Sequence, residues 1–355
     1  MADEQVRAPT TVRVMSTKPT PPETWKAWWV VGVLFPLHII LGLLSIPFLI
    51  YHLCTFSSVS WAFVCIYAPF YLYPAQTKFP GWKGMDFMWR FFDYETTCAS
   101  YFGEFEVHQG GGALDPDAQY FMAAHPHGTV IFQRTFWRAA CLERLFNRPW
   151  RMLGASVLFR IPIVREMTLW FGAVDASRSN VERLLRRGVN VVVWPGGLDE
   201  ANSVDDQQTV NLRTRTGFIR LAVKHGASVL PVFVFGELDA VEAVRFLPRP
   251  IAAWLKRNLR ISSNAFIGRY GSFIPRRVPF NLVLGKPIPT KASPAADARD
   301  EASAAAVFDA EVDRVHAAYK TELRRLYTEH KARFGYEGRD LVFTCESSAH
   351  ASTRK

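Results

Sequence analysis

Two histidines separated by a single proline, His125 and His127, are the residues of this chain whose types and spacing best fit acid/base chemistry. They follow an apolar run over residues 121–124 and are followed by Gly128. This is how a strand end presents side chains to a cleft. Imidazole titrates near neutrality, so a histidine here can take a proton from a hydroxyl and later return it to a leaving group. The pattern favours group transfer by a histidine base, without a protein nucleophile.

The turn that carries the histidines also offers a site for a developing oxyanion. Pro126 fixes the backbone between the two rings, and Gly128 lets a substrate approach the main chain and leaves an amide free to donate. Two other interpretations stay open. The tetrapeptide also fits an ordinary strand-to-helix turn. An H-x-H pair occurs in zinc sites too, although Thr129 and Val130 supply no further ligand at short spacing, and we expect no metal.

A serine nucleophile has little support in this sequence. The motif G-x-S-x-G does not occur, and the segment from Gly154 through Ser156 lacks the closing glycine. A transferase that uses a histidine base is therefore the simpler hypothesis.

Three acidic residues follow predicted strands and could orient a histidine: Asp175, Glu200 and Glu237. Loops after the strand ends of an α/β sheet line its site, and a carboxylate beside a histidine fixes its tautomer. Glu200 is the preferred partner because it follows the turn at Gly196 and Gly197, whose amides are further oxyanion candidates. A helix cap or a surface charge remains the alternative for each acid.

Basic residues predominate, with 42 Lys and Arg against 32 Asp and Glu and a formal charge of +10. This charge favours an anionic partner. No nucleic-acid-binding motif accompanies it, so an anionic membrane surface or a phosphate-bearing substrate such as an acyl-CoA fits better. Arg213, Arg215 and Lys224 around one predicted helix, with Arg178 on another, are candidate phosphate ligands. A solvated helix face is the alternative for each of them.

Alternating strand and helix patterns predict an α/β sheet with helices packed on it. Strands are predicted over 119–124, 190–194, 228–235 and 280–288, and the apolar run 167–174 leads to Asp175. Helices are predicted over 130–146, 181–187, 218–225, 251–259 and 308–326, and an aromatic amphipathic helix over 88–94.

The N-terminal part of the chain predicts a membrane anchor. Residues 1–24 are polar and predicted to be a disordered cytosolic tail. Residues 25–75 contain apolar runs at 28–51 and 59–73, with lysines and aromatic residues outside or at their ends, and are predicted to form a transmembrane or re-entrant hairpin. A buried helical pair in a soluble domain is the alternative. Residues 76–343 then form the cytosolic α/β domain, and 344–355 a polar tail.

Five cysteines lack any metal-binding spacing, and no N-x-S/T sequon occurs. Both observations agree with a catalytic domain in a reducing compartment.

The chain resembles the type 2 diacylglycerol acyltransferase family, which also includes monoacylglycerol acyltransferases and wax-ester synthases. The resemblance extends from the hairpin to about residue 343. It is carried by His125-Pro-His-Gly128, by Pro195-Gly-Gly-Leu-Asp-Glu200, by the long segment from Arg215 to Glu237 and by residues 319–336.

This resemblance implies a glycerolipid-acyltransferase-like sheet and transfer of an acyl group from acyl-CoA to a neutral lipid hydroxyl. It also implies that both histidines take part and that Glu200 lies near them. The wider superfamily uses H-x-x-x-x-D, whereas Val130 and Phe132 stand at the acid's place here, which favours Glu200. One departure is Tyr101-Phe102-Gly103, where most relatives have Tyr-Phe-Pro.

The resulting hypothesis is an acyl-CoA:diacylglycerol O-acyltransferase of the endoplasmic reticulum membrane that can also reach lipid droplets. His127, oriented by Glu200, is the expected base, and no cofactor beyond the acyl-CoA substrate is expected. Expected partners are acyl-CoA, diacylglycerol or a related neutral lipid, the bilayer and a second copy in a homo-oligomer, but no nucleic acid. A monoacylglycerol acyltransferase, a wax-ester synthase and a non-catalytic lipid-binding scaffold are the alternatives.

Overall fold

A computed structural model describes most of the chain. The described residues are 12–16, 25–55, 58–77, 91, 94–137, 142, 144–202, 209–245, 247–258, 262, 264–291 and 301–344. The helix predicted over 88–94 lies largely outside these residues, as do most of residues 1–24 and the last eleven residues of the predicted C-terminal tail.

A mixed sheet of eight strands forms the centre of the described structure, in the order β1-β2-β11-β8-β3-β6-β4-β5. The strands from β8 to β5 are parallel to their neighbours, whereas β11 pairs antiparallel with β8 and parallel with β2. The strands are β1 Val12–Ser16, β2 Phe105–Gln109, β3 Tyr120–His125, β4 Trp150–Gly154, β5 Ala173–Asp175, β6 Asn190–Val193, β8 Ser228–Phe235 and β11 Phe280–Leu284. The predicted mixed α/β architecture is therefore confirmed.

Two smaller ladders flank this sheet. β9 (Glu242–Arg245) pairs antiparallel with β10 (Asn264–Ile267), and β7 (Thr209–Leu212) pairs parallel with β12 (Asp340–Phe343). Strand β1 lies inside the range predicted to be a disordered tail, and it pairs antiparallel with β2.

Helices pack on both faces of the central sheet. They are α1 Trp25–Ala27, which continues into a π-helix over Trp28–Leu34, α2 Phe35–Thr55, α3 Ser58–Leu72, α4 Tyr94–Phe102, α5 Val164–Trp170, α6 Arg178–Arg186, α7 Gly197–Ala201, α8 Gly217–His225, α9 Arg249–Asn258 and α10 Glu301–His330. The helices predicted near α6, α8, α9 and α10 are confirmed.

The helix predicted over 130–146 is wrong for residues 130–137. These residues contain a short 3-10 turn at Gln133–Thr135, because Glu237 binds the amides of Phe132 and Gln133 and holds them as a loop. The apolar run 167–174 is divided between the end of α5 and the three-residue strand β5. Apolar content alone does not separate a buried helix from a buried strand.

Strand β3 shows how the sheet places the histidine turn. Tyr120, Met122 and Ala124 belong to one apolar core, whereas Phe121 and Ala123 belong to the core on the other face. Successive side chains of a strand point to opposite faces. His125 continues the alternation of Phe121 and Ala123, so its ring points toward α10, where its centroid lies 6.1 Å from that of the Tyr319 ring.

The N-terminal helical pair, α2 and α3, docks on the segment around α5. The Tyr67 hydroxyl donates to Glu166 Oε2 at 2.5 Å, and the Tyr71 hydroxyl donates to the Arg160 carbonyl at 2.8 Å. The outer surface of the pair carries large exposed apolar side chains, among them Leu44 and Phe48. None of the helices in the described ranges is both long enough and apolar enough to cross a membrane.

Helix α4 ends at the departure from the usual Tyr-Phe-Pro triplet. Tyr101 is buried and donates to the Pro275 carbonyl at 2.6 Å, and the Phe102 ring lies 4.9 Å from that of Phe280. Gly103 follows with φ at +98°. Proline is restricted to φ near −65°, so this helix end requires a glycine-like residue.

Candidate active site

His125 and Glu200 form a buried pair at the carboxyl end of β3. The His125 ring is fully buried, Glu200 is 2% exposed, and Nδ1 of the ring lies 3.0 Å from Oε2 of the carboxylate. Because a carboxylate only accepts, Nδ1 carries a proton. Nε2 is buried and has no hydrogen-bond partner in the described structure.

The second oxygen of Glu200 holds the backbone of the histidine turn. Oε1 accepts the amide N–H of His127 at 3.1 Å, across the cis peptide bond between His125 and Pro126. From the sequence, Glu200 was expected to orient the His127 ring. The structure corrects this: the carboxylate binds the His125 ring and the His127 main chain, because β3 directs His125 toward α7 and the ring of His127 points elsewhere.

The His127 ring is held by its own neighbour. Nδ1 donates to the Gly128 carbonyl at 2.8 Å, which leaves Nε2 as the acceptor. Part of the side chain reaches the surface. Removal of water from the charged form lowers the pKa of His127 below 6.5, and the Gly128 carbonyl and the charge of Glu200 oppose this shift only partly. A neutral imidazole with an accessible lone pair can act as a base.

Gly128 lies at the end of the histidine turn, where the main chain passes close to the Glu237 side chain. Its φ is +66°, and a Cβ atom there would lie 3.2 Å from Cγ of Glu237. Its amide has no hydrogen-bond partner within the described ranges. An amide without a partner, in the same turn as the His127 ring, can donate to a negatively charged oxygen formed there.

In the Gly196–Gly197 turn, one of the two amides expected to face an oxyanion is already bonded within the protein. The amide of Gly197 already donates to the Trp194 carbonyl at 3.2 Å, so it is not free for a substrate. Gly196 makes room for the carboxylate: a Cβ atom there would lie 1.5 Å from Oε2 of Glu200. Helix α7 thus turns Glu200 back over its own first residues toward the histidines.

Glu237 is a second buried carboxyl group beside the histidine turn. It accepts the amides of Phe132 at 2.7 Å and Gln133 at 2.8 Å, and the Gln133 side chain in turn donates to the Pro126 carbonyl at 2.8 Å. Burial raises the pKa of Glu237 to about 8. Glu237 thereby fixes the chain that follows Gly128. Gln133 was not found from the sequence, because only the fold brings it back to Pro126.

Asp175, the third acidic candidate, lies away from the histidines. It accepts from the Ser156 hydroxyl at 2.6 Å and from the Ser177 amide at 2.9 Å. Its strand β5 is three strands from β3 in the sheet order, a separation of roughly 14 Å at the usual strand spacing. Asp175 therefore shapes the start of α6.

The four basic candidates fall into two groups. Arg213 and Arg215 bind Asp199, at 3.3 and 2.5 Å, and Lys256 binds the same carboxylate. Asp199 precedes Glu200, so this group adjoins the histidine site. Arg178 and Lys224 instead bind Glu182, at 3.1 and 3.0 Å, on the outer face of α6 and α8. Lys256 was not identified from the sequence, since it lies 57 residues after Asp199.

Metal ligands are not gathered at this site. Within the described ranges, no group of three or more His, Cys, Asp or Glu side chains could hold a metal ion. The described cysteines Cys54, Cys65 and Cys98 are free thiols.

One protein family and several known proteins match this chain over more than half of its length. The family model for diacylglycerol acyltransferase matches residues 53–344. The chain is 34% identical to 2-acylglycerol O-acyltransferase 3 of Homo sapiens over 244 residues, which cover 62% of this chain and 67% of that protein.

Other relatives differ in the acceptor that their names give. The chain is 30% identical to acyl-CoA wax alcohol acyltransferase 2 of Mus musculus, over 64% of this chain and 71% of that protein. It is also 30% identical to diacylglycerol O-acyltransferase 2B of Umbelopsis ramanniana, over 62% of this chain and 66% of that protein.

Proposed function

The chain belongs to the diacylglycerol acyltransferase family, and from this premise we propose that it is an acyl-CoA-dependent O-acyltransferase that makes triacylglycerol from diacylglycerol. The family model spans most of the chain, and three relatives from different organisms are named for acyl transfer to a hydroxyl. The histidine turn lies within the matched residues.

The observation that carries the mechanism is the arrangement of the His127 ring. Nδ1 donates to the Gly128 carbonyl, and Nε2 is left as an acceptor on a partly exposed, neutral imidazole. His127 Nε2 takes the proton of the acceptor hydroxyl while the oxygen attacks the thioester carbonyl carbon. A C–O bond forms, and the carbonyl oxygen becomes negatively charged beside the Gly128 amide.

Collapse of this intermediate completes the reaction. The C–S bond breaks, and the proton on His127 passes to the departing sulfur, so free coenzyme A and the lipid ester are the products. All atoms balance without a metal, a redox cofactor or an acyl-enzyme. His125 and Glu200 act as positioning residues: Glu200 is bound to both the His125 ring and the His127 amide, so it fixes the turn.

The helical pair α2 and α3 supplies the contact with the lipid phase in this proposal. Large apolar side chains lie exposed along α2, among them Leu41, Leu44 and Phe48, at the three- and four-residue spacing of one helix face. Burying such a face in a bilayer removes apolar surface from water. The proposed location is the cytosolic face of the endoplasmic reticulum membrane, where a diacylglycerol acceptor is dissolved, and the surface of lipid droplets.

The proposal is tested with membranes that contain the full chain or its His127→Ala variant. Labelled acyl-CoA is supplied with diacylglycerol, monoacylglycerol or a fatty alcohol, and the lipid products are separated. We expect triacylglycerol that depends on His127. A different dominant ester would keep the mechanism and change the acceptor, in line with the names of two relatives. No ester with any acceptor would favour a lipid-binding scaffold.

A further inference from the structure

A cavity beside α7 is lined by groups that suit a phosphorylated nucleotide. Its volume is about 300 Å³, which falls at about the lower end of the range for small-molecule sites. It lies between the C-terminal end of α7, the β9–β10 ladder and helix α9. The lining includes Asn202, Arg245, Leu247, Ala252, Lys256 and Asn264.

Lys256 and Arg245 bring positive charge to the lining of this cavity. Lys256, Arg213 and Arg215 all bind the single carboxylate of Asp199. Asp199 thus ties Arg213 and Arg215 to Lys256, and of these three cations Lys256 lines the cavity. The bound Lys256 and Arg215 lower the pKa of Asp199 despite its burial, so the carboxylate stays charged and holds the cations in place. Nε of Arg213 is buried without a hydrogen-bond partner in the described structure.

Neutral groups complete the lining. Oδ1 of the Asn202 side chain accepts from the Ser262 hydroxyl at 2.8 Å, which leaves Nδ2 of the same amide as a donor toward a ligand. Leu247 and Ala252 add an apolar wall. Cations, amide groups and a small apolar surface together match phosphates, the polar edge of a base and its flat face.

The cavity adjoins the reaction site through a single helix. Glu200 points to the histidines, and Asn202 follows it by two residues at the end of α7. At a rise of about 1.5 Å per residue the two positions lie within one helical turn. Because residues two apart on a helix do not face each other, α7 stands between the cavity and the histidine turn.

We infer that this cavity binds the 3′-phosphoadenosine diphosphate portion of coenzyme A, with the two cations of its described lining, Lys256 and Arg245, on its phosphates. The inference rests on the proposed function for the identity of the substrate. The inference places the phosphate-binding cation at Lys256, beside Asp199. Arg178 and Lys224, which bind Glu182, are not part of this phosphate site.

Binding of adenosine 3′,5′-bisphosphate and of coenzyme A to the purified full chain in detergent tests this inference. The same titrations are made on Lys256→Glu, on Ala252→Trp, which fills the cavity without changing charge, and on Arg186→Glu. Arg186 is an exposed arginine on α6 and is the matched charge reversal away from the cavity. We expect about ten-fold or greater weakening in the first two variants and no change in the third.

Steady-state kinetics then separate the two hypotheses. Lys256→Glu and Ala252→Trp should raise KM for acyl-CoA, with little change in kcat or in KM for the lipid. Loss of nucleotide binding in these variants, in a protein that makes no ester, would support the cavity and reject the enzyme. Active variants with unchanged affinity for both nucleotides would overturn the cavity assignment and leave the proposed function intact.

A vesicle arm distinguishes a nucleotide phosphate from a lipid phosphate. Association with phosphatidylserine vesicles is measured for the same variants. If Lys256→Glu lowers vesicle association and leaves adenosine 3′,5′-bisphosphate binding unchanged, the cavity binds lipid headgroups and the inference is wrong.

Discussion

Glu200 hydrogen-bonds to the ring of His125, with 3.0 Å between Oε2 and Nδ1. Both side chains are buried, and Oε1 of Glu200 accepts the amide N–H of His127. The carboxylate thus acts on the two histidines in different ways: it fixes the tautomer of one ring and the backbone of the other. His127 is left as the ring that can meet a substrate.

Replacing each histidine should therefore give different results. His127→Ala is expected to lower kcat by roughly 10²- to 10⁴-fold, the usual contribution of a general base, and to leave the Tm unchanged, because among the described residues the ring hydrogen-bonds to Gly128 alone. His125→Ala strands a buried carboxylate and is expected to cost roughly 1–3 kcal/mol of stability. Acyl transfer assays and thermal unfolding measure both effects. Full activity in His127→Ala would reject His127 as the base.

The pH dependence of kcat/KM should follow the lowered pKa of His127. The neutral ring is the active form, and burial disfavours its protonation, so activity should persist as pH falls and be lost only below 6.5. The charge of Glu200 opposes this shift. Glu200→Gln should therefore move the acidic limb to still lower pH, besides lowering kcat. An acidic limb above pH 6.5, or a limb that moves upward in Glu200→Gln, would contradict the assignment.

Gly196→Ala should inactivate the enzyme although Gly196 carries no side chain. The added Cβ would lie 1.5 Å from Oε2 of Glu200, so the carboxylate must leave the histidine turn. Gly217→Ala is the matched control, because a Cβ there meets nothing within 4 Å and α8 begins at this residue. Acyl transfer by both variants is the measurement. Equal activity in the two would show that the position of Glu200 is not needed.

Glu237 should make stability fall as pH rises. Its pKa is raised from 4.5 to about 8, so the folded state keeps a proton that the unfolded chain has released. The stabilising contribution is full below pH 4.5 and is lost progressively up to about pH 8. Glu237→Gln should remove this dependence. Thermal unfolding of both proteins between these pH values tests it, and parallel curves would contradict the raised pKa.

The exposed face of α2 should be required for membrane association. Leu44 and Phe48 lie one turn apart on this face. Burying each of these side chains in lipid contributes roughly 1.5–3 kcal/mol to the free energy of membrane binding. Leu44→Glu combined with Phe48→Glu should therefore release the protein from vesicles in a flotation assay. Val307→Glu, at an exposed apolar residue of α10, is the control and should leave flotation unchanged. Flotation of the double variant at the wild-type level would reject the proposed anchor.

The sequence alone was enough to predict an α/β sheet with helices packed on it, because β-branched runs such as 190–194 and the three- and four-residue spacing of 308–326 are local patterns. The same kind of information selected the histidine turn and the glycine turn before Glu200. Local patterns failed at residues 130–137, where an apolar segment is held as a loop by a carboxyl group about a hundred residues away.

What only the tertiary structure decided is which groups meet. The pleat of β3 turns the His125 ring, and not the His127 ring, toward Glu200. The packing of α9 against α7 brings Lys256 to Asp199. Arg213 and Arg215 bind the same carboxylate, whereas Lys224 and Arg178 bind Glu182. A sequence specifies residue types and their spacing along the chain. Pairing between charged groups depends on distances through space, and these are fixed only when the helices pack on the sheet.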